Sequence, residues 1–352
     1  MSTTSLNAAT QNAAGPKPPY SLSWVDRLVD WIAGLPAPAW LVYLSVLLLV
    51  GLLNNAVTWL DGTQTAGTFD LKSTANALYA VYGLAFFHYL KGNADRALQK
   101  FLPALGGENA DEADHRYSLT TLPARWGRVA ILTRFTVAIF AVQTTPADSG
   151  ITPDSSVFAR IYYVLNSTLG YSANFALLFL MINQLRRVSR LHRQATEIDL
   201  FNLAPAHAFS QLTARAGSIL IFIVIFRGFQ EPGFVGVYII LALGFGLAAC
   251  FIFLAPLLGL QSRLKDEKER LLTDVGRRLK FILADIRQRV DSRELSKMSE
   301  LNTTLTTLLK EQEVVRDIST WPWDPGTLRG FASTLLLPVV LWLINRLLEL
   351  LF

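Results

Sequence analysis

The sequence predicts an all-α protein: a multipass membrane helix bundle of about seven spans with a long cytosolic antiparallel helical hairpin. Hydrophobic residues make up 51% of its 352 residues and charged residues only 17%, a balance typical of membrane proteins with modest extramembrane parts. Several apolar segments approach the roughly 20 residues that a helix needs to cross a bilayer. Basic connections lie between these segments, and in membrane proteins such connections collect on the cytoplasmic side.

An interfacial helix over residues 24–35 is the first predicted element, after a disordered cytosolic tail over residues 1–22. Ser23 is suited to cap this helix, and Asp26 follows three residues later in the manner of a capping box. We expect the helix to lie flat in the membrane interface. Its apolar face consists of Trp24, Leu28, Trp31, Ile32 and Leu35.

The membrane domain, residues 23–262, is predicted to add six spans to this helix. Trp40 and Trp59 lie 19 residues apart in the first span. In a helix that separation is about 28 Å, which matches the distance between the aromatic belts of a bilayer. The six apolar segments cover residues 38–60, 73–90, 129–142, 157–183, 216–229 and 234–260.

Charge asymmetry predicts the orientation of these spans. The loop over residues 143–156 contains no Lys or Arg, so we expect it outside. We expect the N-terminus and the hairpin in the cytosol and the C-terminus outside, in a bacterial inner or plasma membrane. The strongest cytosolic signal is an arginine cluster at the end of the fourth span, formed by Arg186, Arg187, Arg190 and Arg193.

Residues 263–320 are predicted to form the hairpin, because two apolar stripes at helical spacing flank a break at Asp291 and Ser292. A simple antiparallel coiled coil that connects two spans explains the stripes. An oligomerisation stalk or a partner-docking arm explains them as well, because two helices alone make a thin core. The stripe residues predicted to form the hairpin core are Leu279, Ile286, Leu301 and Leu305.

A last membrane helix is predicted within residues 321–352. Asp324 is a favourable N-cap, and Pro325 at the first helical position loses nothing by lacking an N–H group. Trp321 and Trp323 suit the membrane interface. We also expect a kink at Pro338.

Polar residues inside the spans are the candidate pore or polar-interior residues. The arginines could attract anions into a hydrated path, or they could snorkel and pair locally, Arg227 with Glu231 and Arg346 with Glu349. The asparagines of the fourth span repeat every four residues with Gly170, a pattern that close helix packing also explains. The candidates are Arg134, Arg160, Asn166, Asn174, Arg227, Asn345, Arg346 and Glu349.

Chemistry-bearing motifs do not stand out in this sequence. One cysteine, Cys250, excludes an intrachain disulfide. Its four histidines are scattered, and no metalloprotease, serine-hydrolase or nucleotide-binding pattern is present. We therefore expect no catalytic, cofactor-binding or metal-binding residues, and no nucleic-acid partner.

These observations favour a non-enzymatic membrane protein of one of two kinds. The first is a homo-oligomeric, anion-favouring channel or transport pore whose coiled-coil hairpin governs assembly or gating. The alternative is a membrane sensor or scaffold that recruits a cytosolic partner through the hairpin. Beyond the lipid bilayer, the expected partners are further copies of the chain or a cytosolic protein.

Overall fold

The computed structural model describes residues 18–69, 74–75, 77–105, 112–144, 155–195, 199–228, 235–293 and 297–351. Over these residues it is all-helical, with no β-strand beyond an isolated bridge between Leu22 and Pro123. The described helices are α1 (Trp24–Ala33), α2 (Ala39–Leu60), α3 (Tyr79–Phe101), α4 (Glu112–Thr120), α5 (Ala124–Thr144), α6 (Val157–Gln194), α7 (Ala204–Gly228), α8 (Val235–Ser292), α9 (Met298–Asp317) and α10 (Pro325–Leu351), with a short 3₁₀ helix at Leu102–Leu105.

Three of the described helices are long and apolar enough to cross a membrane. They are α2, α6 and the part of α8 from Leu243 onward, with a shorter apolar stretch at Pro325–Leu341 in α10. The all-α class is confirmed, but the seven-span count is not. The remaining predicted spans form helices of mixed polarity; α5, for example, carries Arg125, Arg128 and Arg134 within 21 residues.

The chain divides into two compact units, and the first holds the described residues within Met1–Asp95, Glu108–Arg187 and Arg227–Gly233. In this unit α2 and α3 run antiparallel, because the Tyr43 hydroxyl meets His88 Nδ1 at 3.2 Å and Asn55 Nδ2 donates to Thr74 Oγ1 at 2.8 Å. The far end of α2 meets the start of α6, where the Asp61 carboxylate accepts the Ser156 N–H at 2.7 Å.

A buried carboxylate, that of Asp26, ties three segments of this unit together. Its Oδ2 accepts hydrogen bonds from the Ser23 hydroxyl at 2.6 Å and from the Leu122 N–H at 3.0 Å. The Lys91 ammonium of α3 lies 3.9 Å from its other oxygen and also pairs with Asp30 of α1. Ser23 is the N-cap of α1 as predicted, because its hydroxyl accepts the Asp26 N–H at 3.2 Å. The reciprocal bond of a capping box is not formed, since the Ser23 N–H donates to the Leu122 carbonyl. The Asp26 carboxylate thus holds the capping serine and links α1 to α3 and to the segment before α5.

Two predictions about the N-terminal segment need correction. Residues 1–17 lie outside the described residues, but the end of the predicted tail is ordered: the Tyr20 hydroxyl donates to the Thr121 carbonyl at 3.2 Å. Val25, Val29 and Ile32 form the buried face of α1, whereas Trp31 of the predicted apolar face is 62% exposed. The helix therefore packs on protein with one face and leaves its tryptophan face outward.

The second unit holds the described residues within Arg96–Gly107, Val188–Phe226 and Phe234–Phe352. Its main element is α8, a single helix of 58 residues, roughly 90 Å long at 1.5 Å per residue. The helix continues through residues 262 and 263, where the sequence predicts the change from the last span to the first hairpin arm. The predicted break is confirmed: α8 ends at Ser292, and Arg293 adopts a φ of 56°.

Close contacts between α7, α8 and α10 form the apolar part of this unit. A Cβ on Gly217 of α7 would lie 2.8 Å from the Phe331 ring of α10 and 3.1 Å from the Ala249 carbonyl of α8. Phe253 of α8 stacks on Phe331 with ring centroids 4.6 Å apart. Asp324 caps α10 as predicted, because its carboxylate accepts the Thr327 N–H at 2.9 Å. Glycine at position 217 is what allows these helices to approach.

We predict that the Asp26→Asn variant changes the pH dependence of stability. Burial raises the pKa of the Asp26 carboxyl above its ordinary 3.8, although hydrogen bonds from Ser23 and Leu122 oppose this rise. The stabilising contribution of the group is therefore fully present below pH 3.8 and is lost as the pH rises through the raised pKa. Thermal melts in detergent should show wild type losing stability relative to Asp26→Asn from about pH 4 upward.

The Ser23→Ala background provides the control for this experiment. The Ser23→Ala substitution removes the hydroxyl that donates to the ionised Asp26 carboxylate. In that background, the stability difference between chains with and without Asp26→Asn should therefore develop at higher pH. A difference between wild type and Asp26→Asn that is flat from about pH 4 to 7 would contradict a raised pKa.

Candidate functional site

Arg134, one of the predicted pore residues, is held by packing between α5 and α6. Its guanidinium carbon lies 3.6 Å from the centroid of the Tyr171 ring, within cation–π range. Its Nη2 donates to the Ser167 hydroxyl at 3.5 Å. The Tyr171 ring stacks in turn on Tyr79 of α3, with centroids 5.1 Å apart. Aromatic faces and a hydroxyl therefore solvate this cation, as the packing alternative expects.

Asn174, a second candidate, is likewise used for packing. Its Nδ2 donates to the Tyr79 carbonyl of α3 at 2.9 Å and to the Gly170 carbonyl of its own helix at 2.9 Å. Gly83 of α3 lies so close that a Cβ there would be 2.9 Å from Asn174 Nδ2. The two carbonyls and the glycine leave little room for a permeating ion beside this amide.

Arg160 lies in a different environment, at the start of α6. It lines a cavity of about 320 Å³ between α5 and α6. Asn166, further along α6, is partly exposed and is not part of this lining. The residues lining the cavity are Phe135, Ile139, Val157, Arg160, Ile161, Val164 and Leu165.

The remaining candidate pore residues lie outside the part of the chain whose side chains the structure describes. Arg227 lies in α7, and Asn345, Arg346 and Glu349 lie in α10, but their side chains are not described. Glu231, the predicted partner of Arg227, lies outside the described residues. The anion path and the two predicted local ion pairs therefore stay predictions. The residues concerned are Arg227, Glu231, Asn345, Arg346 and Glu349.

Two cations of α8, both missed by the sequence analysis, hold the ends of other helices in the second unit. Arg263 donates to the carbonyls of His192, Arg193 and Ala195 at 3.1, 2.9 and 2.7 Å, which closes the C-terminus of α6. Lys268 donates to the carbonyls of Arg316 and Ile318 at 2.6 and 2.7 Å, which closes the C-terminus of α9. Cations at these positions satisfy carbonyls that lack intrahelical partners and oppose the negative end of the helix dipole.

His192 lies beside the first of these contacts and is 2% exposed. Its Nδ1 is 2.9 Å from the Pro256 carbonyl of α8. Its ring contacts Phe101 and Phe209, each with centroids 5.4 Å apart. In the sequence it was one scattered histidine; only the fold brings α8 and two aromatic rings against it.

The hairpin arms pack through the predicted stripes. Val275 and Leu279 of α8 form a buried cluster with Leu308 of α9, and Ile282 and Leu305 pack against it. Leu279 and Leu305 are therefore core residues of the hairpin as predicted. Ile286 and Leu301 lie towards the tip and are partly exposed.

Comparisons with known proteins identify no relative of this chain: no family model, curated protein or solved structure matches it. Among the described residues, no three His, Cys, Asp or Glu side chains group closely enough to hold a metal ion.

We predict that Gly83→Ala lowers the free energy of unfolding by about 1–3 kcal/mol, because the new methyl group must displace Asn174. Gly92→Ala is the matched control in the same helix, since a Cβ there meets nothing within 4 Å. That variant should gain about 0.5–1 kcal/mol from alanine's better helix propensity. Thermal unfolding in detergent measures both. Equal effects of the two substitutions would contradict the tight contact.

A double-mutant cycle should reveal coupling between Arg134 and Tyr171. If the guanidinium is solvated by the ring, Arg134→Met and Tyr171→Leu should couple by about 0.5–2 kcal/mol in the free energy of unfolding. Arg160→Met combined with Tyr171→Leu is the control pair and should be additive. Additivity in both cycles would show that Arg134 does not depend on this ring.

Proposed function

We propose that this protein is a membrane-anchored scaffold or sensor that presents a rigid helical hairpin to a protein partner in the cytosol. The observation that carries the proposal is the continuity of α8. One helix begins in an apolar segment and continues, without a break, into the charged arm of the hairpin.

We also propose that α3 and α5 cross the membrane beside α2 and α6. Tyr43 of α2 contacts His88 of α3, and Asn55 of α2 contacts Thr74, which precedes α3. The α5 helix contacts α6 at Trp126 with Phe179 and at Arg134 with Tyr171. A helix that packs alongside a membrane-spanning helix lies at the same depth in the bilayer. Polar residues lower the hydropathy of these two helices, but the Arg134 guanidinium of α5 contacts Tyr171 and Ser167 of α6, and such contacts reduce the cost of placing the charge in a membrane.

The contacts of the candidate pore residues support a scaffold over a pore. Arg134 is occupied by Tyr171 and Ser167, and Asn174 by two carbonyls. A pore residue must exchange its contacts with a passing ion, so it needs a hydrated face. The contacts of both residues therefore favour the scaffold over the anion channel.

The hairpin is suited to docking because its position is fixed at its base while its sides stay exposed. Lys268 binds the end of α9, and Leu264 of α8 packs into a cluster with Leu260, Leu200 and Ala206. Beyond this base, large apolar side chains remain exposed on the arms. They are Phe281, Leu283, Val290, Leu309 and Val314.

Purified protein in liposomes tests the proposal against conduction. We expect no flux of chloride or potassium above that of empty liposomes, with the hairpin present or deleted, at confirmed incorporation. Anion flux that falls in Arg160→Gln but not in Arg134→Gln would instead support a pore along α6 and overturn the proposal.

Photo-crosslinking in cells tests docking directly. A photoreactive amino acid placed at the exposed positions 281, 283, 309 and 314 in turn should give protein adducts from at least one of them. The buried position 279 is the control and should give none. Absence of any adduct from all four exposed positions would contradict a docking role for the hairpin.

A further inference from the structure

One flank of the hairpin carries an apolar seam that the hairpin itself does not bury. The buried seam of α9 follows a heptad through residues 298, 301, 305, 308, 312 and 315, and it faces α8. On α8 the buried seam contains Leu271, Val275 and Ile282, and a second set of apolar positions lies one residue ahead of these. This second seam contains Leu272, Gly276, Leu283 and Val290, while Leu279, which belongs to the buried cluster, and Ile286 lie between the two seams.

The outer members of this second seam face solvent. Leu283 is 41% exposed and Val290 is 51% exposed. In an antiparallel pair, residues one position ahead of the buried seam lie on the same side of both helices. That rule places Leu309 of α9, which is 50% exposed, beside Gly276 of α8, because Leu308 and Val275 are packed together at this level. We call Leu272, Gly276, Leu283, Val290 and Leu309 the apolar flank.

The opposite flank of the hairpin has the character of a solvated surface. One position behind the buried seam lie Asp274, Asp285 and Glu311, with Arg278 among them. Local ion pairs satisfy part of this charge: Arg277 lies 3.8 Å from Asp274, and Arg289 lies 3.1 Å from Asp285. Phe281 and Val314 are also exposed on this side, but they stand among charged residues. On the other side of α8, apolar residues follow one another at steps of three and four residues, the pattern of a helix face that packs against another helix.

Charge and membrane anchoring indicate what covers the apolar flank. Within residues 263–292, the α8 arm carries nine Lys and Arg against six Asp and Glu, whereas α9 carries two against four. Two copies anchored in one membrane can be related only by a two-fold axis along the bilayer normal. When the two apolar flanks face each other about that axis, the basic α8 arm of each copy lies beside the acidic α9 of the other. Every pair of neighbouring helices is then antiparallel.

We infer that two copies of the chain join through their apolar flanks into a four-helix stalk. The inference rests on the proposed docking function of the hairpin and names a second copy as the partner. Gly276 supports it, because a Cβ there meets nothing within 4 Å and so leaves an open hole in the seam. A two-fold axis along the bilayer normal keeps equivalent residues of the two copies at the same distance from the membrane. Leu309 of one copy therefore packs into the open space beside Gly276 of the other.

Disulfide formation between two differently tagged chains tests the pairing. In a Cys250→Ser background, one full-length chain carries Gly276→Cys and the other Leu309→Cys, and both are reconstituted together in lipid. We expect an oxidised dimer that contains both tags. Phe281→Cys mixed with Val314→Cys, on the other side of the hairpin, should give none. Leu283→Lys added to both chains should abolish the dimer of the first pair.

Subunit counting in lipid separates failure of this inference from failure of the proposed function. A wild-type chain that is monomeric by single-molecule photobleaching overturns the stalk. A dimer that crosslinks through positions 281 and 314, but not through 276 and 309, overturns the assigned flank. In either case, photo-crosslinked adducts between the hairpin and another protein would still support the proposed docking function. If the chain is monomeric and no such adduct forms, the proposed function fails too.

Discussion

The second unit of this protein depends on one helix, α8, whose first part is apolar and whose second part is charged. The apolar part of α8 packs on α7 and α10 around Gly217 and Phe331, where the absence of a side chain lets the backbones approach. Its charged part begins near Arg263, and from there its cations serve other helices. Arg263 closes α6 and Lys268 closes α9, so the helix that anchors the unit also terminates two of its neighbours. Carbonyls at helix ends need partners, and a guanidinium that reaches three of them supplies what water would supply at an open end.

In the first unit, buried polar groups hold helices together. Asp26 accepts from Ser23 and Leu122, and Asn174 donates to two carbonyls. Each polar side chain joins segments distant in sequence, because a buried donor or acceptor without a partner costs more than an ordinary hydrogen bond returns. Arg134 follows the same logic with an aromatic ring as its acceptor. Arg134 and Asn174, two of the candidate pore residues, therefore make packing contacts in the fold.

Local signals predicted the ends of several elements. Ser23 and Asp324 are caps, and the break after Ser292 lies at the predicted hairpin turn. Caps are predictable because a side-chain oxygen satisfies a donor only two or three residues away. The change from apolar to charged residues inside α8 does not coincide with the end of a helix. A change from apolar to charged residues marks where the surroundings change, and nothing in that change stops a helix. The number of spans is unconfirmed, because hydropathy records average polarity and the neighbours that shield Arg134 are distant in sequence.

Periodicity and composition by themselves determined that this protein is helical, that it contains apolar helices of membrane length and that two amphipathic arms form a hairpin. These properties depend on residues within a few turns of one another, so they can be read along the chain. Only the tertiary structure decided which face of α1 is buried, that Arg134 is bound by Tyr171, and that Arg263 closes α6. Each of those contacts joins residues tens of positions apart. Their formation depends on how the helices pack, which one sequence read locally does not specify.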